Sequence, residues 1–252
     1  MNMTKDTPDA HLLHLYKNLG DTSADFRNKN MYWLLAHMVK GKTLLDIGSG
    51  ATHFMNTVSK MKGVKVEGIE PNNDLIKLGR QLYGNIGHVY PLEAENLNRI
   101  KRTYDTISMI DVLEHIEDDK KILWSIKNRL EPDGRLLILV PAYQFLYSIR
   151  DKNLGHFRRY SATRLKNLLY ETGYSVESIR HWNMLGFFIY LFFEKMLKKS
   201  APHNLRVINK KAGFLSRLFH TLIDIWIKHI ENRINLGFGL SLIITAKKSN
   251  SQ

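Results

Sequence analysis

Cysteine is absent from all 252 residues. Disulfides, thiolate nucleophiles and cysteine-ligated metals are therefore excluded. The longest apolar run, Trp182–Phe193, is shorter than the ~20 residues that span a bilayer, so a transmembrane helix is not expected. The first ten residues are polar and lack an apolar signal core, which makes a cytoplasmic location the simplest expectation. No internal repeat, low-complexity segment, Walker-type phosphate loop, Asn/Asp-Pro-Pro-Tyr base-flipping motif or RNA-binding module is found. Nucleic acid is accordingly not an expected partner.

Acidic residues are also scarce in one region. The net charge is +13, and from Trp182 onward 11 Lys/Arg stand against 3 Asp/Glu. Residues 1 to 181 carry 26 against 21, so the basic excess is concentrated in the tail that is also the most apolar. Basic charge mixed with Phe, Leu and Trp favours an anionic lipid surface over nucleic acid. A solvated basic face on a core helix is the plainer reading, and the composition does not separate the two.

The chain is long enough for one large α/β core, and its patterning fits that. Phe26–Val39 has helical spacing of Met31, Leu34, Leu35 and Met38. Strands are expected at Thr43–Ile47, Val64–Ile69, Ile86–Tyr90, Tyr104–Ile110, Arg135–Val140, Ser175–His181 and Leu240–Ala246. Between them lie helices at His53–Met61, Asn72–Tyr83, Asp118–Leu130 and Ala162–Thr172. This alternation predicts a Rossmann-like, doubly wound seven-stranded sheet. Two stretches break it: the loop Pro141–Tyr160, and an insertion before the last strand. The expected division is an arm and helix over 1–40, a cofactor-binding core over 41–181, a helical insertion over 182–238, and the last strand and tail over 239–252.

Within the core, Thr43–Phe54 holds the most specific signal. A strand ends in Asp46 and runs into Gly48-Ser49-Gly50 before a helix. Glycine permits a tight turn and close approach of a ligand to the backbone. Ligands of open α/β sheets bind beyond the carboxyl ends of the strands. Glu70 ends the next strand 22 residues after Gly48, placed to accept from two ribose hydroxyls. Both a nicotinamide dinucleotide and S-adenosylmethionine fit so far. A dinucleotide fingerprint wants a third glycine where His53 stands, and Asp46 would repel a phosphate but suit a cationic amino acid.

Six segments extend this signal in order: Leu45-Asp-Ile-Gly-Ser-Gly50, Val66-Glu-Gly-Ile-Glu-Pro71, Leu92-Glu-Ala-Glu-Asn-Leu97, Tyr104-Asp-Thr-Ile, Asp111-Val-Leu-Glu-His-Ile-Glu-Asp118 and Leu130-Glu-Pro-Asp-Gly-Arg-Leu136. Together they resemble the class I S-adenosylmethionine-dependent methyltransferases and are similar to those of ubiquinone biosynthesis. The resemblance covers Phe26–Arg180 and Leu236–Lys247. One departure is Thr52, where the family usually has a further glycine. The resemblance implies that Asp46, Gly48, Ser49 and Gly50 hold the amino-acid end of the cofactor. Glu70 would bind its ribose, with Pro71 and Asn72 beside the adenine. Glu93 and Ala94 would meet the adenine amino group, and Asp111 would close the site. S-adenosyl-L-homocysteine would be the product.

Methyl transfer is an in-line displacement, in which alignment contributes roughly 7–11 kcal/mol. An oxygen nucleophile also calls for a base. The candidates are His156, in Asp151-Lys-Asn-Leu-Gly-His-Phe-Arg-Arg-Tyr160, and His115. The stretch 141–160 reads as a substrate lid, with Tyr143, Tyr147, Arg158, Arg159 and Tyr160 as substrate contacts. An anchoring network, with the arginines paired inside the protein, is the equal alternative. No metal is expected. The weaker option is magnesium on Asp111, Glu114 and His115, which resembles an arrangement in some ubiquinone-pathway O-methyltransferases.

A second helix, Ala212–Ile230, follows the apolar run. The pair is expected to cap the substrate pocket, with a peripheral membrane foot through 182–231 or an oligomer interface as alternatives. The chain thus reads as a methyltransferase acting on a small-molecule or lipid-like acceptor. A nicotinamide-dependent oxidoreductase and a catalytically inactive cofactor-binding or membrane-associated protein are the rivals.

Overall fold

A computed structural model of the chain describes residues 25–197 and 214–249. The expected polar arm over 1–24 and the start of the second insertion helix lie outside them. Helix α1, Phe26–Met38, precedes strand β1, Thr43–Ile47. Helix α2, His53–Lys62, leads to β2, Lys65–Ile69, and α3, Asn73–Tyr83, leads to β3, Gly87–Tyr90. Strand β4, Tyr104–Ile110, is followed by α4, Asp119–Lys127, and β5, Leu130–Pro141.

A short helix α5, Ile149–Asn153, interrupts the stretch read from the sequence as a loop. Its cause is local: Ser148 and Asp151 form a capping box, satisfying two backbone N–H groups reciprocally. Helix α6, Ala162–Glu171, leads to β6, Tyr174–Trp182. The insertion holds α7, Met184–Tyr190, continued by a π-helical turn Leu191–Met196. It also holds α8, Phe214–Trp226, continued by the π-helical turn Ile227–Glu231. Strand β7, Ser241–Lys248, closes the sheet.

The sheet order is β3-β2-β1-β4-β5-β7-β6, with only β7 antiparallel to its neighbours. This is the expected Rossmann-like seven-stranded architecture. Both faces of the sheet centre are covered, so β1, Leu136–Val140 of β5 and most of β7 are buried runs. Alternate residues feed two cores: Leu45, Ile107 and Leu136 enter one, and Leu44, Leu137 and Ile243 the other. Several boundaries moved, and two of the shifts bear on the core. Helix α4 ends before Leu130, which instead opens β5, where the pairing with β4 is irregular between Tyr104 and Thr106. Trp182, read as the first residue of the apolar insertion, is the last of β6. It is fully buried, and its indole Nε1 donates to Asn232 Oδ1 at 2.9 Å.

Candidate active site

At the carboxyl end of β1, the backbone enters the Gly48–Gly50 turn. Gly48 (φ +71°) and Gly50 (φ +52°) both lie in the left-handed region. A Cβ on Gly48 would lie 2.4 Å from Val112 Cγ2, whereas nothing lies within 4 Å of one on Gly50. The open space over Gly50 faces a cavity of about 800 Å³. Thr52, which departs from the family glycine, also has positive φ (+59°).

Glu70, at the end of β2, holds this turn. Its Oε2 accepts from Gly50 N at 2.8 Å and its Oε1 from Asn72 N at 2.9 Å. Asp46 is buried and accepts from Ser108 Oγ at 2.6 Å. Burial raises its carboxyl to about 7, against the Ser108 hydrogen bond and with help from the Glu70 charge. Ser49 Oγ is buried with no hydrogen-bond partner. A buried acid short of positive charge, an orphaned hydroxyl and an open glycine cradle fit a cationic amino-acid ligand.

All ten residues assigned to the cofactor from the sequence except Asn72 line this one cavity. Asn72 sits beside it as the cap of α3, accepting from Asp74 N and Leu75 N. Asp111 adopts φ +53°, a strained conformation that clusters at functional sites.

Residues of the stretch 141–160 line the same cavity, among them Arg150, Asp151, His156 and Arg159. His156 Nδ1 lies 2.9 Å from Asp151 Oδ1. Asp151 is buried and also accepts from Arg159 Nε at 2.8 Å, Arg159 Nη2 at 2.9 Å and Tyr190 Oη at 3.1 Å. Burial pushes this carboxyl up, but the hydrogen bonds from His156 and Arg159 prevail and hold it well below its ordinary value. The His115 ring meets His156 edge-on, with centroids 4.6 Å apart. Glu114 beside them is fully buried, with neither carboxylate oxygen partnered. Burial, and then the Asp111 charge, raise it well above the usual range.

Ligand atoms of Glu114, His115 and His156 lie within 4.8 Å of one another, so this trio could hold a cation. From the sequence, the weaker metal option had Asp111 in place of His156.

The lid's other candidates serve as anchors. Arg158 donates to Ile116 O (3.1 Å), Glu117 O (2.8 Å) and Asp119 Oδ2 (3.0 Å). Arg159 pairs with Asp151 and stacks 4.5 Å over the Tyr190 ring. Tyr160 is fully buried with its hydroxyl on Asp119 Oδ2 at 3.1 Å, and the Tyr147 hydroxyl donates to His156 O at 2.7 Å. Of the five residues assigned to the substrate, only Arg159 is on the cavity wall; Tyr143, Tyr147, Arg158 and Tyr160 are not. Both arginines are engaged inside the protein, the alternative weighed beside the substrate role.

The cavity also has walls that the sequence did not mark: Arg27, Asn28, Met31 and Tyr32 of α1, Arg150 of α5 and Tyr190 of α7. For Arg150 and Tyr190 the Ser148–Asp151 capping signal was available, since both contact that turn. For α1 no motif distinguished the wall from the rest of the helix.

Comparison with known proteins agrees with this geometry. A family model described as a methyltransferase domain matches residues 23–179. The chain is 28% identical over 144 residues to a ubiquinone/menaquinone biosynthesis C-methyltransferase of Escherichia fergusonii, covering 52% of this chain and 57% of that protein. It is 24% identical over 138 residues to the mitochondrial ubiquinone biosynthesis O-methyltransferase of Schizosaccharomyces pombe, covering 51% and 47%. The chain therefore spans about half the length of these relatives. Among solved structures, an S-adenosylmethionine-dependent methyltransferase from Archaeoglobus fulgidus superposes with TM-score 0.58 at 19% identity, covering 94% of this chain and 99% of that one. A plantazolicin methyltransferase in complex with S-adenosylhomocysteine superposes with TM-score 0.60 at 13% identity, covering 98% and 93%.

Proposed function

The chain belongs to the methyltransferase-domain family, and from that premise we propose that it is an S-adenosylmethionine-dependent methyltransferase acting on a small-molecule or lipid-like acceptor with an ionisable hydroxyl. The carrying observation is that the Asp46–Gly50 turn and the Asp151–His156 pair face the same cavity. One wall fits a cationic cofactor and the other carries a proton acceptor. The family match is to methyltransferases, not to the nicotinamide-dependent oxidoreductases kept as a rival.

The cofactor, when bound, supplies an electrophilic methyl group on a sulfonium. Asp46 holds its ammonium and Glu70 its ribose hydroxyls. Pro71, Asn72, Glu93 and Ala94 flank the adenine. On the lid side, Asp151 is kept ionised and accepts a hydrogen bond from the Nδ1–H of His156. That leaves Nε2 as the proton acceptor for the substrate hydroxyl. Asp151 acts as a positioning residue, itself fixed by Arg159, Tyr190 and Ser148. Glu114, with both oxygens unsatisfied, is a second polar contact for the acceptor. The quinone-pathway relatives support an aromatic hydroxyl acceptor, a class in which deprotonation activates either oxygen or ring carbon.

Calorimetry with S-adenosylmethionine and with NAD tests the cofactor, and a screen of phenolic acceptors tests the acceptor class. Binding of the first but not of NAD is expected. Binding of neither would sink the reading.

A further inference from the structure

Helix α8 presents apolar side chains on two sides. Its inward side includes Ile223, joined by Ile227 of the π-helical turn that continues it, packed with the core over α1. Its outward stripe is Leu218, Leu222 and Ile225, where a surface helix ordinarily carries polar residues. Helix α7 with its π-helical continuation repeats the pattern, with Phe188, Phe192 and Met196 exposed at spacing four. These six are 44% to 69% exposed. Large apolar side chains exposed in such rows mark an interaction surface rather than scattered surface residues.

The charge of the segment says what would cover it. Residues 182–238 contain nine Lys/Arg and three Asp/Glu. All three acids are engaged by the protein. Glu194, with its side chain 5% exposed, lies 3.8 Å from Arg150. Glu231 is buried and accepts from Met184 N. Asp224 accepts from Asn30 Nδ2 at 2.6 Å. Acidic charge is thus drawn inward, while Lys228 and Arg233 are exposed. Among the described residues no helix is long and apolar enough to cross a membrane. Apolar rows with a basic surplus match the interface of an anionic bilayer, where the rings enter the headgroup boundary and the cations meet phosphates.

We propose that the outward face of α7 and α8 docks this protein on an anionic lipid membrane. Tyr190, buried on the inner side of α7, lines the candidate active-site cavity, so the docking helix also forms part of the cavity wall. The docking inference rests on the surface alone and holds whichever acceptor is methylated.

Flotation of the whole chain with vesicles containing about one-quarter phosphatidylglycerol in phosphatidylcholine tests it. Expected is co-flotation that weakens with salt and on pure phosphatidylcholine. Phe188→Ser with Phe192→Ser, and separately Leu222→Ser with Ile225→Ser, should each weaken binding at least about tenfold. Tyr170→Ser, at an 81% exposed position on α6, should leave it unchanged. Absence of binding by the intact chain at low salt would overturn the proposal, as would binding by both double variants as tight as that of the parent chain. So would a dimer in light scattering that these substitutions dissolve without any vesicle binding, because the face would then belong to a second copy. Calorimetry with S-adenosylmethionine on the same variants should be unchanged, separating loss of docking from loss of the cofactor site.

Discussion

Asp46 is a carboxyl that the fold leaves short of positive charge. Its value of about 7 lies above the ordinary 3.8, so the folded state binds more protons than the unfolded one between these limits. Stability contributed by this group is complete below about pH 4 and declines as pH rises to about 7. A cationic ligand beside it reverses that tendency by favouring the ionised form. Binding of S-adenosylmethionine at about pH 6 should therefore release close to one proton, seen as a binding enthalpy that varies with the buffer's ionisation enthalpy. Asp46→Asn should abolish the variation and weaken binding. A buffer-independent enthalpy in the parent protein would refute the assigned role. Asp151 has the opposite sign. Its depressed value contributes stability above pH 3.8 that is lost as pH falls through and below it. His156→Gln should lower kcat about 10²–10⁴-fold with cofactor affinity intact, and turnover should be unaffected by EDTA. Loss of turnover on chelation, restored by a divalent cation, would instead assign the Glu114–His115–His156 trio to a metal. Asp151→Asn is the poorer probe, because it strands buried Arg159 at a cost of about 3–5 kcal/mol.

The turn between β1 and α2 separates two uses of glycine. Gly48→Ala must displace Val112 as well as hold a positive φ. Gly50→Ala meets no atom and faces only the left-handed cost of about 1–2 kcal/mol. Gly50→Ala should therefore fold, with a small fall in Tm, yet bind S-adenosylmethionine at least about tenfold more weakly. Gly48→Ala should lose more stability than Gly50→Ala in the same melts. Equal affinity in Gly50→Ala and parent would remove the cradle from the cofactor site. The turn was legible because its constraint is local: strand, acid and glycines are contiguous. The Glu70 connection was legible because the strand spacing repeats. The lid was less so. Its residues were marked, but Arg158 finds Asp119 across 39 positions and Tyr160 finds the same carboxylate. Such pairings depend on how β4 and β5 place their following loops, which no window of sequence contains. The Ser148–Asp151 capping box is present in the sequence, but no long periodic helix follows to mark it.

Across the whole molecule, one cavity joins three parts of the chain. The turns after β1, β2 and β4 form its floor, α5 and the lid one wall, and Arg27–Tyr32 of α1 another. α1 is in turn tied to the insertion, since Asn232 Nδ2 donates to Asn30 O at 3.1 Å and Asn30 Nδ2 to Asp224. A ligand filling the floor therefore acts on the packing of parts distant in sequence, and its binding free energy adds to the stability of the described fold as one cooperative unit. At a concentration about 100-fold above Kd, a ligand contributes about 2.7 kcal/mol. For a domain of this size each kcal/mol raises Tm by roughly 2–4 °C. S-adenosylmethionine or S-adenosylhomocysteine should thus raise Tm by roughly 5–10 °C in a single transition. NAD should leave it unchanged, because its pyrophosphate would meet the Asp46 and Glu70 carboxylates with no third glycine to admit it. Two transitions, of which only one moves with ligand, would show instead that the insertion melts independently of the cofactor-binding sheet. The ties through Asn30 and Asn232 would then be too weak to couple them.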